Sequence, residues 1–302
     1  MATPQPGIFA LGTRTHHHLE LDVATNASDA DVVDALRSLS EPHVTAGATN
    51  LVIGYGPEVA TRLLPIDEQP EDLAAFGEVH GLDGKVAPAT QHDLWVWVHG
   101  AGADSVHDTA VHVAATLAPV ATVAQETACW VYHDSRDLTG FIDGTANPPP
   151  SEAPSVALVP DGRPGAGGSH VLAQRWVHDL SAFSELAVAD QERVIGRTKL
   201  DSVELPSDLR PSDAHISLAE IHDADGEERE IYRRSIPYGT TTERGLYFLA
   251  FSAERDRFDE MLAQLFGAGE RTRRDRLLDF TTPVSGAYYF APASEALPLG
   301  EA

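Results

Sequence analysis

Three short stretches of this sequence hold side chains that could act on a bound small molecule. Asp143 stands in Gly140-Phe141-Ile142-Asp143-Gly144-Thr145-Ala146-Asn147-Pro148, where a carboxylate can carry a proton between two atoms. Arg233 and Arg234 follow Tyr232, and a guanidinium supplies a positive charge that it cannot lose at working pH. His215, in Ser212-Asp213-Ala214-His215-Ile216, offers an imidazole for proton transfer or for a metal. Each also has an ordinary explanation. Asp-Gly before Asn-Pro is turn chemistry, any one of the 14 histidines is more often a plain surface or core residue, and a strand arginine commonly faces solvent. Period-two alternation puts Arg233 and Ser235 on one face and Arg234 on the other. That separation selects Arg233 as the inward residue and leaves Arg234 for solvent.

Two further features carry less. The single cysteine, Cys129, lies in the apolar run Thr127-Ala128-Cys129-Trp130-Val131 and reads as a small buried hydrophobe, not a reactive thiol. The run His16-His17-His18 invites a metal, but alternation sends its members to opposite faces of a strand. It reads as a solvated strand surface.

The elements that must position these residues are legible in the periodicity. His18-Leu19-Glu20-Leu21-Asp22-Val23 alternates, which predicts a strand over 8–23. Ser28, with Asp29 and Asp31 after it and Val32, Val33, Leu36 and Leu39 spaced along one face, predicts a capped amphipathic helix. Strands over 51–56 and 93–100, a helix over 106–117 and a strand over 122–132 complete a first half. The stretch 134–168 holds Pro148-Pro149-Pro150 and Gly165-Ala166-Gly167-Gly168; a connection of that length is more often functional than passive. The second half repeats the order, with strand 169–177, helix 180–197, strands 230–238 and 246–251, helix 255–266 and strand 284–290. Two βαββαβ halves predict an α+β fold of two ferredoxin-like units with antiparallel sheets, of the dimeric α+β barrel type. The expected division is 1–140 and 141–302, with the loop 140–168 at the junction.

Composition bounds the partners. The 302 residues carry 46 acids against 21 bases, a formal charge of -25 that repels nucleic acid and anionic lipid. No window approaches the roughly 20 apolar residues of a membrane span. Met1-Ala2-Thr3-Pro4-Gln5-Pro6-Gly7 has neither a basic nor a long apolar region, and one cysteine permits no intrachain disulfide. A cytoplasmic location is the expectation.

The three stretches, taken together, resemble those of the dye-decolorizing peroxidases. Gly140 to Gly144 is similar to the family's G-x-x-D-G fingerprint, Ser212 to Ile216 to its proximal histidine segment, and Ile231-Tyr232-Arg233-Arg234-Ser235-Ile236-Pro237-Tyr238-Gly239 to the segment with its distal arginine. Supporting matches are Pro4 to Gly7, Arg175-Trp176-Val177-His178-Asp179, Ile195-Gly196-Arg197-Thr198-Lys199 and Asp275-Arg276-Leu277-Leu278-Asp279-Phe280. Their order and spacing cover the chain from Pro4 to Pro292, and its short form is similar to the intracellular B-type members.

The resemblance implies one haem b per subunit, held mainly by the second half, with His215 as axial ligand of the iron. It implies Asp279, with Asp275 as the alternative, as acceptor for the other ring nitrogen. Asp143 would move the peroxide proton and Arg233 would stabilise the leaving oxygen. Arg197 and Ser235 would reach a haem propionate, although a salt bridge at the helix end explains Arg197 nearly as well. Leu246 and Phe248 would line the pocket. The implied activity is a peroxidase that reduces hydrogen peroxide through a ferryl state and oxidises phenolic, dye-like or metal donors. Trp130, Trp176, Tyr232, Tyr247 and Tyr288 are candidates to pass electrons outward. The alternatives are a haem-processing, deferrochelatase-like protein and a non-enzymatic haem carrier, which would have little use for Asp143 and Arg233. Homo-oligomers are common in the family. Some relatives enter an encapsulating shell by a C-terminal extension; with the chain stopping at Pro298-Leu299-Gly300-Glu301-Ala302, encapsulation is not expected.

Overall fold

The computed structural model describes residues 2–39 and 49–298. Residues 299–302, on which the encapsulation expectation rests, lie outside the described residues.

Eight strands make the frame: β1 (Thr15–Val23), β2 (Asn50–Tyr55), β3 (Leu94–Gly100), β4 (Ala121–Trp130), β5 (Ser169–His178), β6 (Ile236–Gly239), β7 (Arg244–Ser252) and β8 (Ala287–Ala291). The first four lie in the order β4-β1-β3-β2 and the last four in the order β8-β5-β7-β6, all antiparallel. That is the ferredoxin-like order twice over. Two narrow seams, Phe290 with Tyr55 and Cys129 with Tyr238, join the halves into a closed ring. The expected two-half α+β architecture is the one found.

The helices are α1 (Asp29–Arg37), α2 (Pro57–Leu63), α3 (Ala103–Leu117), α4 (Ala153–Ala157), α5 (Leu180–Glu185), α6 (Val188–Ile195), α7 (His215–Ala219) and α8 (Asp256–Phe266). Ser28 caps α1 with a full capping box to Asp31. Among the described residues no helix is long and apolar enough to cross a membrane.

Alternation along each strand divides the core into layers. Leu19, Leu21, Val96 and Val98 face out of the ring against α1 and α3. Trp95, Trp97, Tyr247, Leu249, Phe251 and Tyr289 face into it. Leu172, Trp176, Ala250 and Tyr288 face out on the other side, towards α8 and its Phe258, Met261, Leu262 and Leu265. Period 3.6 in α8 supplies that apolar stripe.

Five expectations are corrected. The first strand starts at Thr15, because Pro6–Phe9 forms a 3-10 turn. The helix over 180–197 is two helices with a break at Leu186 and Ala187, and α4 interrupts the long loop. The His16-His17-His18 run is not solvated: the three residues are 4%, 7% and 1% exposed, since helices cover one face of β1 and the ring encloses the other. Nor does Arg234 face solvent. It leaves the strand pair on the inner side, donates to the carbonyls of Ile8 (2.7 Å) and Ala10 (2.8 Å), and lies 5.0 Å over the Trp97 ring.

Candidate active site

His215 is the first residue of α7 and projects into a cavity between the outer face of β5 and β7 and the apolar stripe of α8. Its Nδ1 meets Oδ2 of Asp275 at 2.6 Å. A carboxylate only accepts, so Nδ1 carries the proton and Nε2 keeps its lone pair for the cavity. Asp275 is buried and doubly held, because its Oδ1 also accepts from the backbone N–H of Leu277 at 2.7 Å. The Arg276 N–H donates to the carbonyl of Asp213 at 3.0 Å, which fixes this turn against the histidine segment.

Asp275, and not Asp279, is therefore the acceptor. Asp275 caps the 3-10 turn Arg276–Asp279 from its buried end, whereas Asp279 sits at the far end and pairs with Arg274 at 2.7 Å.

Asp143 approaches the same cavity from the crossing loop. Its N–H donates to Ser135 at 2.9 Å and its Oδ1 accepts from Gly144, whose φ of +76° a side chain would resist. Burial first, and the charge of Asp137 second, push its carboxyl from the ordinary 3.8 up to about 6. The Gly144 N–H, Arg233 and His215 hold it back from rising further.

Arg233 completes the rim, opposite Leu246 and Phe248. Asn147 fixes it: the Arg233 N–H donates to Asn147 Oδ1 at 2.8 Å, and Asn147 Nδ2 donates to the Arg233 carbonyl at 2.7 Å. This reciprocal pair ties the Asp143 loop to the arginine. Ser235 lines the cavity beside it, its hydroxyl accepting from the Leu249 N–H at 3.3 Å. Asp143, Arg233 and Ser235 also line a second cavity, walled by Thr13, His16, Tyr132 and Arg136. The three side chains thus stand between two spaces.

The structure brings His215, Asp143, Arg233, Ser235, Leu246 and Phe248 to one cavity. Arg197 is not brought there. Its guanidinium pairs with Glu204 at 2.6 Å and donates to the carbonyl of Ser202, so the salt-bridge explanation is the one the structure shows.

Sequence reasoning missed several residues of the wall. Gln174, Trp176 and His178 alternate along β5 onto the cavity face. Both amide atoms of Gln174 and the indole N–H of Trp176 are buried without a partner among the described residues. His178 bridges Thr281 (2.8 Å) and Asp137 (3.1 Å). Period two in Gln174-Arg175-Trp176-Val177-His178 is the signal that finds them. Asn147 was within the Asp143 motif, but its partner lies 86 residues away. The lining is apolar on the α8 side, with Met261, Leu262 and Leu265, and polar at the ends. A flat, largely apolar group with a metal at its centre and polar edges fits that set: one imidazole to ligate, an apolar bed, and unpaired amide and indole donors at the wall.

Known proteins resemble the chain over most of its length. The family model described as Dyp-type peroxidase, C-terminal, matches residues 134–296. A dye-decolorizing peroxidase of Mycolicibacterium paratuberculosis is 37% identical over 306 residues, covering 97% of this chain and 84% of the relative. The cryo-EM structure of an encapsulated DyP-type peroxidase from Mycobacterium smegmatis superposes with a TM-score of 0.92 at 32% identity, covering 99% of this chain and 98% of the other. A DypB variant from Rhodococcus jostii, solved in complex with haem, gives a TM-score of 0.89 at 32% identity, covering 99% and 97%.

Proposed function

The chain belongs to the Dyp-type peroxidase family, and from that premise we propose that His215, Asp143 and Arg233 carry its chemistry on a haem b. The protein is a haem peroxidase. One observation carries the assignment of residues: a single cavity has an imidazole backed by a buried carboxylate at 2.6 Å on one side, and a carboxyl and a guanidinium at its rim.

When bound, the haem would supply the redox chemistry that couples peroxide to small organic or metal donors. His215 Nε2 would hold the iron, with Asp275 keeping the ring oriented and basic. Asp143, its carboxyl raised to about 6, could take a proton from peroxide and give one to the oxygen that leaves. Arg233 puts a fixed positive charge where the leaving oxygen gains electron density. Ser235 and the Gln174 amide offer polar partners at the edge of the group. Peroxide enters by the second cavity, which Asp143 and Arg233 share with the first. In this reading the cofactor belongs to residues 141–302, and the loop 140–168 covers its peroxide side.

The test is an absorbance spectrum of the haem-loaded protein before and after equimolar peroxide, beside His215→Ala, Asp143→Ala and Arg233→Ala. Expected are poor haem retention in the first variant, and full retention with a slowed or absent peroxide shift in the other two. Normal haem retention by His215→Ala would refute the assignment of the ligand. A Soret band that peroxide only bleaches would favour a carrier or a haem-processing role.

A further inference from the structure

Beneath the Asp143 loop lies an ion pair that the proposed peroxide chemistry leaves unused. His178 ends β5 with its side chain on the cavity face, 7% exposed, and Asp137, 14% exposed, stands 3.1 Å from its Nε2. The short strand Thr281–Pro283 runs beside β5 and puts Thr281 Oγ1 2.8 Å from His178 Nδ1. The single proton of that hydroxyl goes to the carbonyl of Val177 at 3.3 Å, so the hydroxyl accepts from Nδ1. A carboxylate only accepts, so Nε2 carries a proton too. His178 thus donates from both ring nitrogens and is a cation whose charge balances Asp137. Burial opposes the ionised form of Asp137, but the His178 charge and the bonds from His178 and Thr139 outweigh it and hold that carboxyl below its ordinary 3.8. Thr139 contributes twice to Asp137 Oδ2, by its N–H at 2.8 Å and its hydroxyl at 2.5 Å.

We propose that Asp137 and His178 are positioning residues for the peroxide reaction: together they anchor the Asp143 loop and set the charge against which Asp143 gains and loses its proton. The proposal rests on the reading of Asp143 as the proton carrier. The loop is a tight hairpin. Arg136 bridges Ile142, the Asp137 N–H donates to the Phe141 carbonyl at 2.9 Å, and the Asp143 N–H donates to the Ser135 carbonyl at 2.9 Å. Asp137 therefore stands opposite Phe141, and Asp143 opposite Ser135. An offset of two residues in such a pairing makes the two carboxyl groups diagonal neighbours on one face. His178 pins that face to the end of β5.

The two members of the pair pull Asp143 in opposite directions. Burial lifts the Asp143 carboxyl first, and the negative charge of Asp137 lifts it next. The positive charge of His178, 3.1 Å from Asp137, offsets part of that repulsion. Take away the charge of Asp137 and the imidazolium stands alone, so Asp143 gives up its proton more readily. Take away His178 and Asp137 is uncompensated, so Asp143 holds its proton more tightly. The other charges facing Asp143 come from different elements and are untouched by either change. They are Arg233, in the strand segment Tyr232–Arg233, and His215 on α7. Glu220, Glu228 and Glu230 act on Arg233. Asp275 is held by His215. Arg136, in the hairpin itself, is occupied by Asp134 and by the carbonyls of Gly140, Lys199 and Leu200.

The test is the pH dependence of the peroxide-driven Soret shift, per bound haem, in the wild type, Asp137→Asn, His178→Gln and the double variant. Asp137→Asn should move the inflection down by about 0.5–1 in pH, less than the roughly 1–3 of a charge in direct contact. His178→Gln should move it up by a similar amount. The double variant replaces a neutral pair by two neutral amides and should return close to the wild type. Thr281→Val keeps both members of the pair but removes the acceptor of the Nδ1 proton, which favours the neutral imidazole. It should therefore also move the inflection up, and it keeps the question decidable if His178→Gln folds poorly. Carbon-13 NMR of the aspartate-labelled chain loaded with zinc protoporphyrin reads Asp143 directly, its resonance identified by its loss in Asp143→Asn. It should show the same opposite displacements. A merely structural role would move both single variants the same way and the double variant further. Displacements of one sign, no displacement in either single variant, or a double variant further from the wild type than both overturns the proposal. Opposite displacements by NMR beside an unmoved Soret profile would overturn the reading of Asp143 as the proton carrier, so the two failures are told apart.

Discussion

Asp275→Asn is the sharpest perturbation of the proposed ligand, because it changes one charge and almost no volume. The asparagine oxygen can still accept from the Leu277 N–H, which preserves the turn. Its amide nitrogen then faces His215 Nδ1, at present 2.6 Å from a carboxylate oxygen, and two donors cannot bond. Either the amide turns round and sacrifices the turn, or the imidazole takes the other tautomer and presents a proton where the iron should bind. Loss of such an acceptor typically costs about 10- to 100-fold in metal affinity, or about 1.4–2.8 kcal/mol. Haemin titration of the apo protein, followed at the Soret band, should show that loss, and the iron should become easier to reduce as its ligand becomes less basic. Asp279→Asn is the internal control. Asp279 pairs with Arg274 at a half-exposed site, so the cost should stay below about 1 kcal/mol and haemin affinity should not move. Wild-type haemin affinity in Asp275→Asn, or an equal loss in both variants, would refute the reasoning from Asp275 to His215 to iron.

The remaining predictions separate neighbouring residues. The Asp143 carboxyl is near 6 when folded and near 3.8 when unfolded, so between those values the unfolded chain binds fewer protons and stability falls as pH rises. Asp143→Asn abolishes that fall: allowing for its partial exposure, the apo variant should gain about 1–3 kcal/mol above pH ~6 and nothing below pH ~4. Urea unfolding across that range decides it, and a pH-independent difference would contradict the raised carboxyl. Arg234→Met strands the Ile8 and Ala10 carbonyls and should cost about 2–4 kcal/mol of stability. Arg234 also lines the second cavity, so the variant should slow the peroxide reaction per bound haem somewhat, but less than Arg233→Met, which should cost little stability; equal kinetic losses in both would mean that the two arginines act alike. Gln174→Leu removes an unpaired buried amide and should raise apo stability by about 1–3 kcal/mol while lowering haemin affinity. A less stable apo protein with unchanged haemin binding would show that the amide serves the fold and not the cofactor.

What was legible in the sequence followed from local rules. Alternation and capping located the ring strands and α1, and alternation alone separated Arg233 from Arg234. The same rule could not say what covers each face. It assigned His16, His17 and His18 correctly to opposite sides of β1, yet burial of both sides depends on ring closure through two seams distant in sequence. Arg234 failed for the same reason: the carbonyls it satisfies belong to a turn 226 and 224 residues earlier. The choice between Asp275 and Asp279 was beyond any periodic argument. It turns on which end of a four-residue 3-10 turn points inward, and that is fixed by a backbone bond to Asp213. Asn147 shows a further limit, since its side chain serves two backbone groups of a residue 86 positions on.

Ring closure also determines where a large cofactor can go. An eight-stranded barrel has an interior just wide enough for side chains to fill, and here Trp95, Trp97, Tyr247 and Phe251 fill it without exposure. A cofactor must therefore sit outside the ring, between a sheet and its helices. Duplication provides two such layers. In the first half the layer is closed by Leu19, Val96, Val113 and Leu117 packing α3 directly on the sheet. In the second half, α7 and α8 stand off β5 and β7 far enough to leave a cavity with His215 at its edge. The loop that carries Asp143 then reaches the edge of that cavity, and β7 becomes the partition between the cavity and the aromatic interior. Leu246 and Phe248 touch one side, and Tyr247 and Leu249 the other.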